Sequence, residues 1–262
     1  MKHLPHILLL ALLWLGTTVP TAAQTTDLAS LLAQAQDGEV IELPSGIYTG
    51  SFVIEKSITL IGEGWPVLDG DGRGHVLVIN APDVHVEGLM IRNSGTSLDQ
   101  ESTGILANAP RAMIVNNRLE NVLFGISLHH AEGSIVRGNT VVGMTQLDVA
   151  RRGDSIRVWY SNDVVLEGNR VLHGRDVVLW YSSNLVLRGN EITDSRYGLH
   201  FMFCDDALIT ENLLYHNSVG AFLMYSQRLT VERNTIASNC GPSGFGLGLK
   251  EMDDAVVVDN PF

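Results

Sequence analysis

"GISLHHAEGSIVRGNTV" runs from Gly125 to Val141, and "GAFLMYSQRLTVERNTI" from Gly220 to Ile236. Laid one over the other, they share a small residue, alternating apolar positions, a polar turn, then apolar-x-x-Asn-x-apolar. Period-two alternation marks short strands with one side turned to a core. The asparagine recurs at Asn117, Asn139, Asn169, Asn190, Asn212, Asn234 and Asn260, in steps of 22, 30, 21, 22, 22 and 26 residues. Fourteen positions before each of the last six stands a small or turn-forming residue: Gly125, Ser155, Asp176, Gly198, Gly220 and Gly246. The interior of the unit is constant, so the variable length lies in loops after the asparagine. Asn93 marks an earlier, looser unit.

A unit this short cannot bury its apolar side alone, whereas stacked copies bury a continuous core. The Leu-x-x-Leu-x-Leu spacing of leucine-rich repeats is missing. The expected fold is all-β, a right-handed parallel β-helix (a solenoid) over residues 24–262, with coils about 4.8 Å apart. The asparagines would stack as an internal ladder, each bonding the next coil at a tight turn that Asn tolerates well. "DLASLLAQAQ" (27–36) is amphipathic, with Asp27 as N-cap, and is expected to plug the open core at the N-terminal end. The sequence stops at Phe262, two residues after a ladder asparagine, so the C-terminal coil is expected to be incomplete.

Residues 1–23 read as a signal peptide. Lys2 and His3 precede the apolar run "ILLLALLWLG" (7–16), and small residues place the cleavage after Ala23. An uncleaved anchor is the alternative, although the run is short for a membrane span. Export to the periplasm is the expectation. The chain has 262 residues, 45% of them hydrophobic, and a formal net charge of -12. That charge argues against a nucleic-acid partner, because phosphates require clustered Lys and Arg. Of the two cysteines, Cys204 follows a strand and Cys240 lies in a different turn of the next coil, so no disulfide is expected.

The fixed offset lets positions be stacked. Counting from the small residue, positions one and three are apolar and inward: Ile126 and Leu128, Ile156 and Val158, Val177 and Leu179, Leu199 and Phe201, Ala221 and Leu223. Position two, outward, reads Ser127, Arg157, Val178, His200, Phe222, Gly248. Position four, also outward, reads His129, Trp159, Trp180, Met202, Met224, Lys250, which predicts an exposed stripe of Trp and Met. His200 lies two residues from Met202, and Met224 lies one coil beyond it. Thioether and imidazole together favour Cu(I). The candidate metal ligands are His200, Met202, Met224 and His129, with Met144 from the insertion "GMTQLDVARRGD" (143–154) if it folds over the stripe. Trp180 offers a π-face to a cation, and Cys204 is either a further soft ligand or a buried free thiol. The blander reading is a wall covered by a loop or a partner.

"YGLHFMFCDDALITEN" (197–212), followed by "GAFLMYSQRLTVERN", resembles the NosD family of periplasmic maturation proteins of nitrous oxide reductase. The resemblance covers most of the chain after the signal segment. It implies a protein that is not an enzyme and that works with an ABC-type permease and ATPase at the inner membrane. It further implies that Cu(I) comes from a lipoprotein copper chaperone and goes to the copper centres of nitrous oxide reductase. The competing class is a carbohydrate-binding or polysaccharide-modifying β-helix protein. An enzyme of that kind needs carboxylates or a calcium-binding Asp cluster on one outer wall. The paired aspartates Asp205–Asp206 and Asp253–Asp254 fall instead at the same turn of two coils.

Overall fold

The computed structural model describes residues 27–242 and 244–262; the signal segment 1–23 lies outside them. Helix Leu28–Gln34 opens the described chain, and the Asp27 side chain accepts a hydrogen bond from the Ala29 N–H. Its apolar side puts Leu28 and Leu32 into the main core, where it covers the first coils as a plug.

From there each coil contributes two or three strands, and every strand pairing is parallel, the registers including Met113↔His85, Ile126↔Ile156 and Ile192↔Leu214. Chain order repeats three faces. One holds strands such as Phe124–His129, Ile156–Trp159 and Val219–Gln227. The next holds Ile135–Arg137, Val165–Glu167 and Thr230–Glu232. These two form a 17-stranded sheet, because the long strands Asp176–Arg188 and Tyr197–Thr210 turn the corner between them. The third face is a separate nine-stranded sheet, which includes Thr140–Gly143 and Leu213–Tyr215. The architecture is the expected parallel β-helix. Side chains alternate across a strand, so one set fills the lumen: Ile126, Leu128, Val158, Leu179, Phe201 and Leu223 are all fully buried.

The asparagine ladder closes the turn between the second and third faces. The Asn117, Asn139, Asn169, Asn190, Asn212 and Asn234 backbone N–H groups each donate to the Oδ1 of the next asparagine, at 2.9–3.0 Å. Each Nδ2 donates both to that same Oδ1 and to a strand carbonyl of the preceding coil. A second, shorter ladder stands at the turn back to the first face: Ser195 N–H to Asn217, then Asn217 N–H to Asn239, both 3.0 Å.

At the remaining corner, between the first and second faces, His130, Tyr160, Tyr181, Phe203 and Tyr225 each sit in the left-handed region with φ of 47–56°. Their rings stack in sequence, with centroids 4.8–5.5 Å apart. A left-handed residue with a Cβ costs roughly 1–2 kcal/mol, and each stacked pair returns about 0.5–1.5 kcal/mol. Tyr181 is stacked on both sides, so the two substitutions that remove its ring should differ. Tyr181→Ala loses the stacking and keeps the backbone cost, whereas Tyr181→Gly loses the stacking and relieves it. We expect the glycine variant to be more stable than the alanine variant by about 1 kcal/mol in urea melts; the reverse order would show that the turn carries no strain.

Just past this corner, a buried serine column runs inside the coil. Ser161 Oγ accepts from Ala131 N–H, Ser182 Oγ from Ser161 N–H, and Ser226 Oγ from Cys204 N–H, at 2.9–3.0 Å. Cys204 occupies the serine position of its coil, and its thiol donates to the Leu179 carbonyl at 3.1 Å. Burial pushes that thiol up to about 12. A thiol held protonated and facing the lumen is not a metal ligand on the outer wall. Both cysteines are free.

Candidate metal-binding face

The outer wall of the first face carries the candidate ligands, and the ladder registers fix their order. His129 pairs with Trp159, Trp159 with Trp180, Trp180 with Met202, Met202 with Met224, and Met224 with Lys250. Val178 pairs with His200 and His200 with Phe222, so His200 sits in the neighbouring column. His200 and Met202 are thus i and i+2 on one strand, on the same side and about 6–7 Å apart. Met224 is one strand step from Met202, about 4.8 Å away. The register therefore brings His200, Met202 and Met224 to one patch of wall.

The same register separates the other two candidates. His129 lies three strand steps from Met202, roughly 14 Å away. Its ring stands edge-on to Trp159, 5.4 Å between centroids. Burial, then the nearby Arg157 guanidinium, pulls its pKa down to about 4, so it is a neutral imidazole at neutral pH. Met144 does not fold over the stripe. It is buried in a small apolar cluster with Leu123, Phe124 and Leu147, beside a polar depression lined by Asp69, Asn93, Asn121 and Gln146.

The expected exposed stripe is also corrected. None of Trp159, Trp180, Met202 or Met224 is exposed; Trp159, Trp180 and Met202 are half-buried, and Met224 is 9% exposed. The exposed apolar stripe lies one position further along, at the stacked corner residues Tyr160, Tyr181 and Phe203. Column two is covered as well: Ser127, Arg157, Val178 and His200 are all buried. Part of the cover comes from the loop before strand Thr103–Ala107. Its Glu101 receives both terminal nitrogens of Arg157, at 2.7 and 2.6 Å. The Arg157 guanidinium also lies over the Phe124 ring, 4.8 Å from its centroid.

His200 is held from three sides. Its ring meets Tyr197 at 4.9 Å and Trp180 at 5.8 Å between centroids, both edge-on. Its Nδ1 lies 3.3 Å from Oδ2 of Asp176. Asp176 is 1% exposed and also accepts from Arg196 Nε at 2.9 Å, from Arg196 Nη2, and from the Tyr197 N–H at 3.2 Å. Burial by itself would raise the Asp176 carboxyl, but the hydrogen bonds from His200 and Arg196 outweigh it and hold the group below the usual carboxylate range. The repeat pattern places Asp176 among turn-forming residues, which hides this role. The available signal is that a charge occupies a column otherwise filled by Gly and Ser.

Two thioethers and one imidazole suit a soft, low-coordinate cation such as Cu(I), and the thioethers bring neither charge nor a proton to displace. Among the described residues, no three His, Cys, Asp or Glu side chains are grouped to hold a metal ion, so a metal site on this wall would require the methionine sulfurs. Also among the described residues, no helix is long and apolar enough to cross a membrane.

Fold and wall together define the class: a parallel β-helix whose first face brings two methionines and a carboxylate-bonded histidine to one patch. Residues 142–262 match the family model described as "Periplasmic copper-binding protein (NosD)". A protein of Pseudomonas aeruginosa described as a probable ABC transporter binding protein NosD is 35% identical over 170 residues, 64% of this chain and 39% of that one. A further Pseudomonas aeruginosa protein with the same description is 35% identical over 83 residues, 32% of this chain and 76% of that relative. The chain belongs to the NosD family. It spans only 39% of the length of the first of these relatives. Among solved structures, an alginate lyase from Paenibacillus superposes with a TM-score of 0.61 at 14% identity, over 90% of this chain and 96% of that one. At that identity the likeness is one of fold alone, and fold does not determine chemistry.

Proposed function

We propose that this chain is a non-enzymatic, periplasmic copper carrier that receives Cu(I) on the His200–Met202–Met224 wall and passes it on during maturation of nitrous oxide reductase. In this reading the donor is a lipoprotein copper chaperone, the acceptor is the reductase, and an ABC-type permease and ATPase at the inner membrane drive the cycle. The observation that carries it is the convergence of two thioethers and a carboxylate-anchored imidazole on adjacent strands. Neutral thioethers bind Cu(I) less tightly than thiolate cages, which suits a protein that must release its cargo. The family description as copper-binding and the relatives' description as transporter-binding support the same reading.

The rival polysaccharide reading draws on the fold of the structural neighbours. Here the corner rings are stacked on one another, so most of their flat faces are not open to a sugar. Arg157, Arg175 and Arg196 are each paired with a carboxylate, Glu101, Asp154 and Asp176 respectively.

The test is an anaerobic competition titration with a colorimetric Cu(I) chelator. The wild-type chain should bind one Cu(I), and the triple variant His200→Ala/Met202→Ala/Met224→Ala should lose about 1000-fold in affinity, each lost ligand contributing on the order of tenfold. Equal affinity in the two proteins would sink the assignment of the site. Retention of the wild type on an oligosaccharide array without Cu(I) binding would favour the rival.

A further inference from the structure

Position zero of each coil is where the strand of the first face begins, and it has little room. At Gly125, Gly198 and Gly220 an added Cβ would meet a backbone oxygen of the next coil at 2.1, 2.4 and 2.3 Å. Asp176 nevertheless stands in this column, its side chain almost fully buried. The fold accommodates it by a register shift between Asp176 and Val178 against the following strand, where Asp176 pairs with Tyr197. A carboxylate buried at such a place is retained only with full hydrogen-bonding. Arg196 and the Tyr197 N–H supply three donors. The remaining one is His200, which reaches back along the next strand to Oδ2.

We propose that Asp176 is the positioning residue for metal binding on this wall: it fixes His200 in the tautomer protonated at Nδ1, which leaves the Nε2 lone pair for a soft monovalent cation. The inference rests on the copper reading above and adds to it a residue that touches no metal. An ionised carboxylate only accepts hydrogen bonds, so the proton between the two groups belongs to Nδ1. In that tautomer the single lone pair is at Nε2, and among the described residues the ring's one hydrogen bond is that of Nδ1. Tyr197 and Trp180 hold the ring plane. A carboxylate behind a ligating histidine commonly tunes affinity by about 10–100-fold.

Asp176→Asn tests this with little change of volume. Its amide N–H donates to Nδ1, which moves the imidazole proton to Nε2, the atom that must be free. Long-range 15N–1H spectra of the copper-free protein should show wild-type His200 as the Nδ1–H tautomer and the variant as Nε2–H. Cu(I) affinity should fall about 10-fold or more in the variant. A wild-type His200 found as Nε2–H overturns the proposal, as does a variant with unchanged affinity. If Asp176→Asn fails to fold, the wild-type spectrum alone still decides the tautomer. Because that spectrum needs no copper, a wild type that shows Nδ1–H but binds no Cu(I) overturns the carrier reading, and the metal role of Asp176 with it, whereas Nε2–H with intact Cu(I) binding overturns the positioning role alone.

Discussion

Asn190→Leu should cost about 3–5 kcal/mol of folding stability, read as the shift of the urea midpoint. Asn190 is 4% exposed, and its side chain makes four hydrogen bonds across neighbouring coils. Its Oδ1 accepts from the Asn169 N–H and from Asn169 Nδ2, both at 3.0 Å. Its Nδ2 donates to the Leu166 carbonyl and to Asn212 Oδ1, both at 2.9 Å. Leucine replaces none of these and leaves a buried N–H and a buried carbonyl unpaired, at about 1–3 kcal/mol each. A loss below about 1 kcal/mol would mean that the ladder contributes through chain geometry and not through desolvated hydrogen bonds.

The ladder, the lumen columns and the outward columns were all legible in the sequence because they recur at a fixed offset. Periodicity reports contacts between equivalent positions of successive coils, and Met202↔Met224 is such a contact. Contacts that break the repeat leave no periodic trace. Glu101 reaches Arg157 across 56 residues from a loop with no counterpart in other coils. That loop covers Arg157, which the repeat places only as an outward residue of column two. Asp176 stands in the sequence among turn-forming residues of its column, and only the geometry shows its carboxylate beside His200. The second ladder through Asn217 and Asn239 spans too few coils to rise above the asparagines of ordinary turns. The cap helix, by contrast, announced itself through Asp27 and its apolar spacing, both local signals.

Glu101→Ala should destabilise the chain by about 2–4 kcal/mol, at the lower end of what a broken buried ion pair costs because Glu101 itself is partly open to water. The Arg157 side chain is 8% exposed and Glu101 37%. Removing the carboxylate strands the guanidinium beside the Phe124 and Trp159 rings, with no other carboxylate among the described residues paired to it. The double variant Glu101→Ala/Arg157→Leu removes the charge as well and should regain most of the loss, since an apolar side chain fits beside Phe124. The hydrogen bond from Arg157, against an opposing contribution from burial, holds the Glu101 carboxyl below its ordinary value. A carboxyl lowered by folding stabilises above its unfolded pKa, and that stability is lost as pH falls through the folded one. Wild type should therefore lose this increment on acidification below the usual carboxylate range, while the double variant, lacking both groups, should lack that part of the slope. If the double variant is as unstable as Glu101→Ala, the cost lies in the packing of the 95–102 loop and not in a buried unpaired charge. Amide exchange of that loop separates the two: loss of the pair should speed exchange at Glu101 and Ser102 in both variants, while only the single variant carries the charge penalty through the first face.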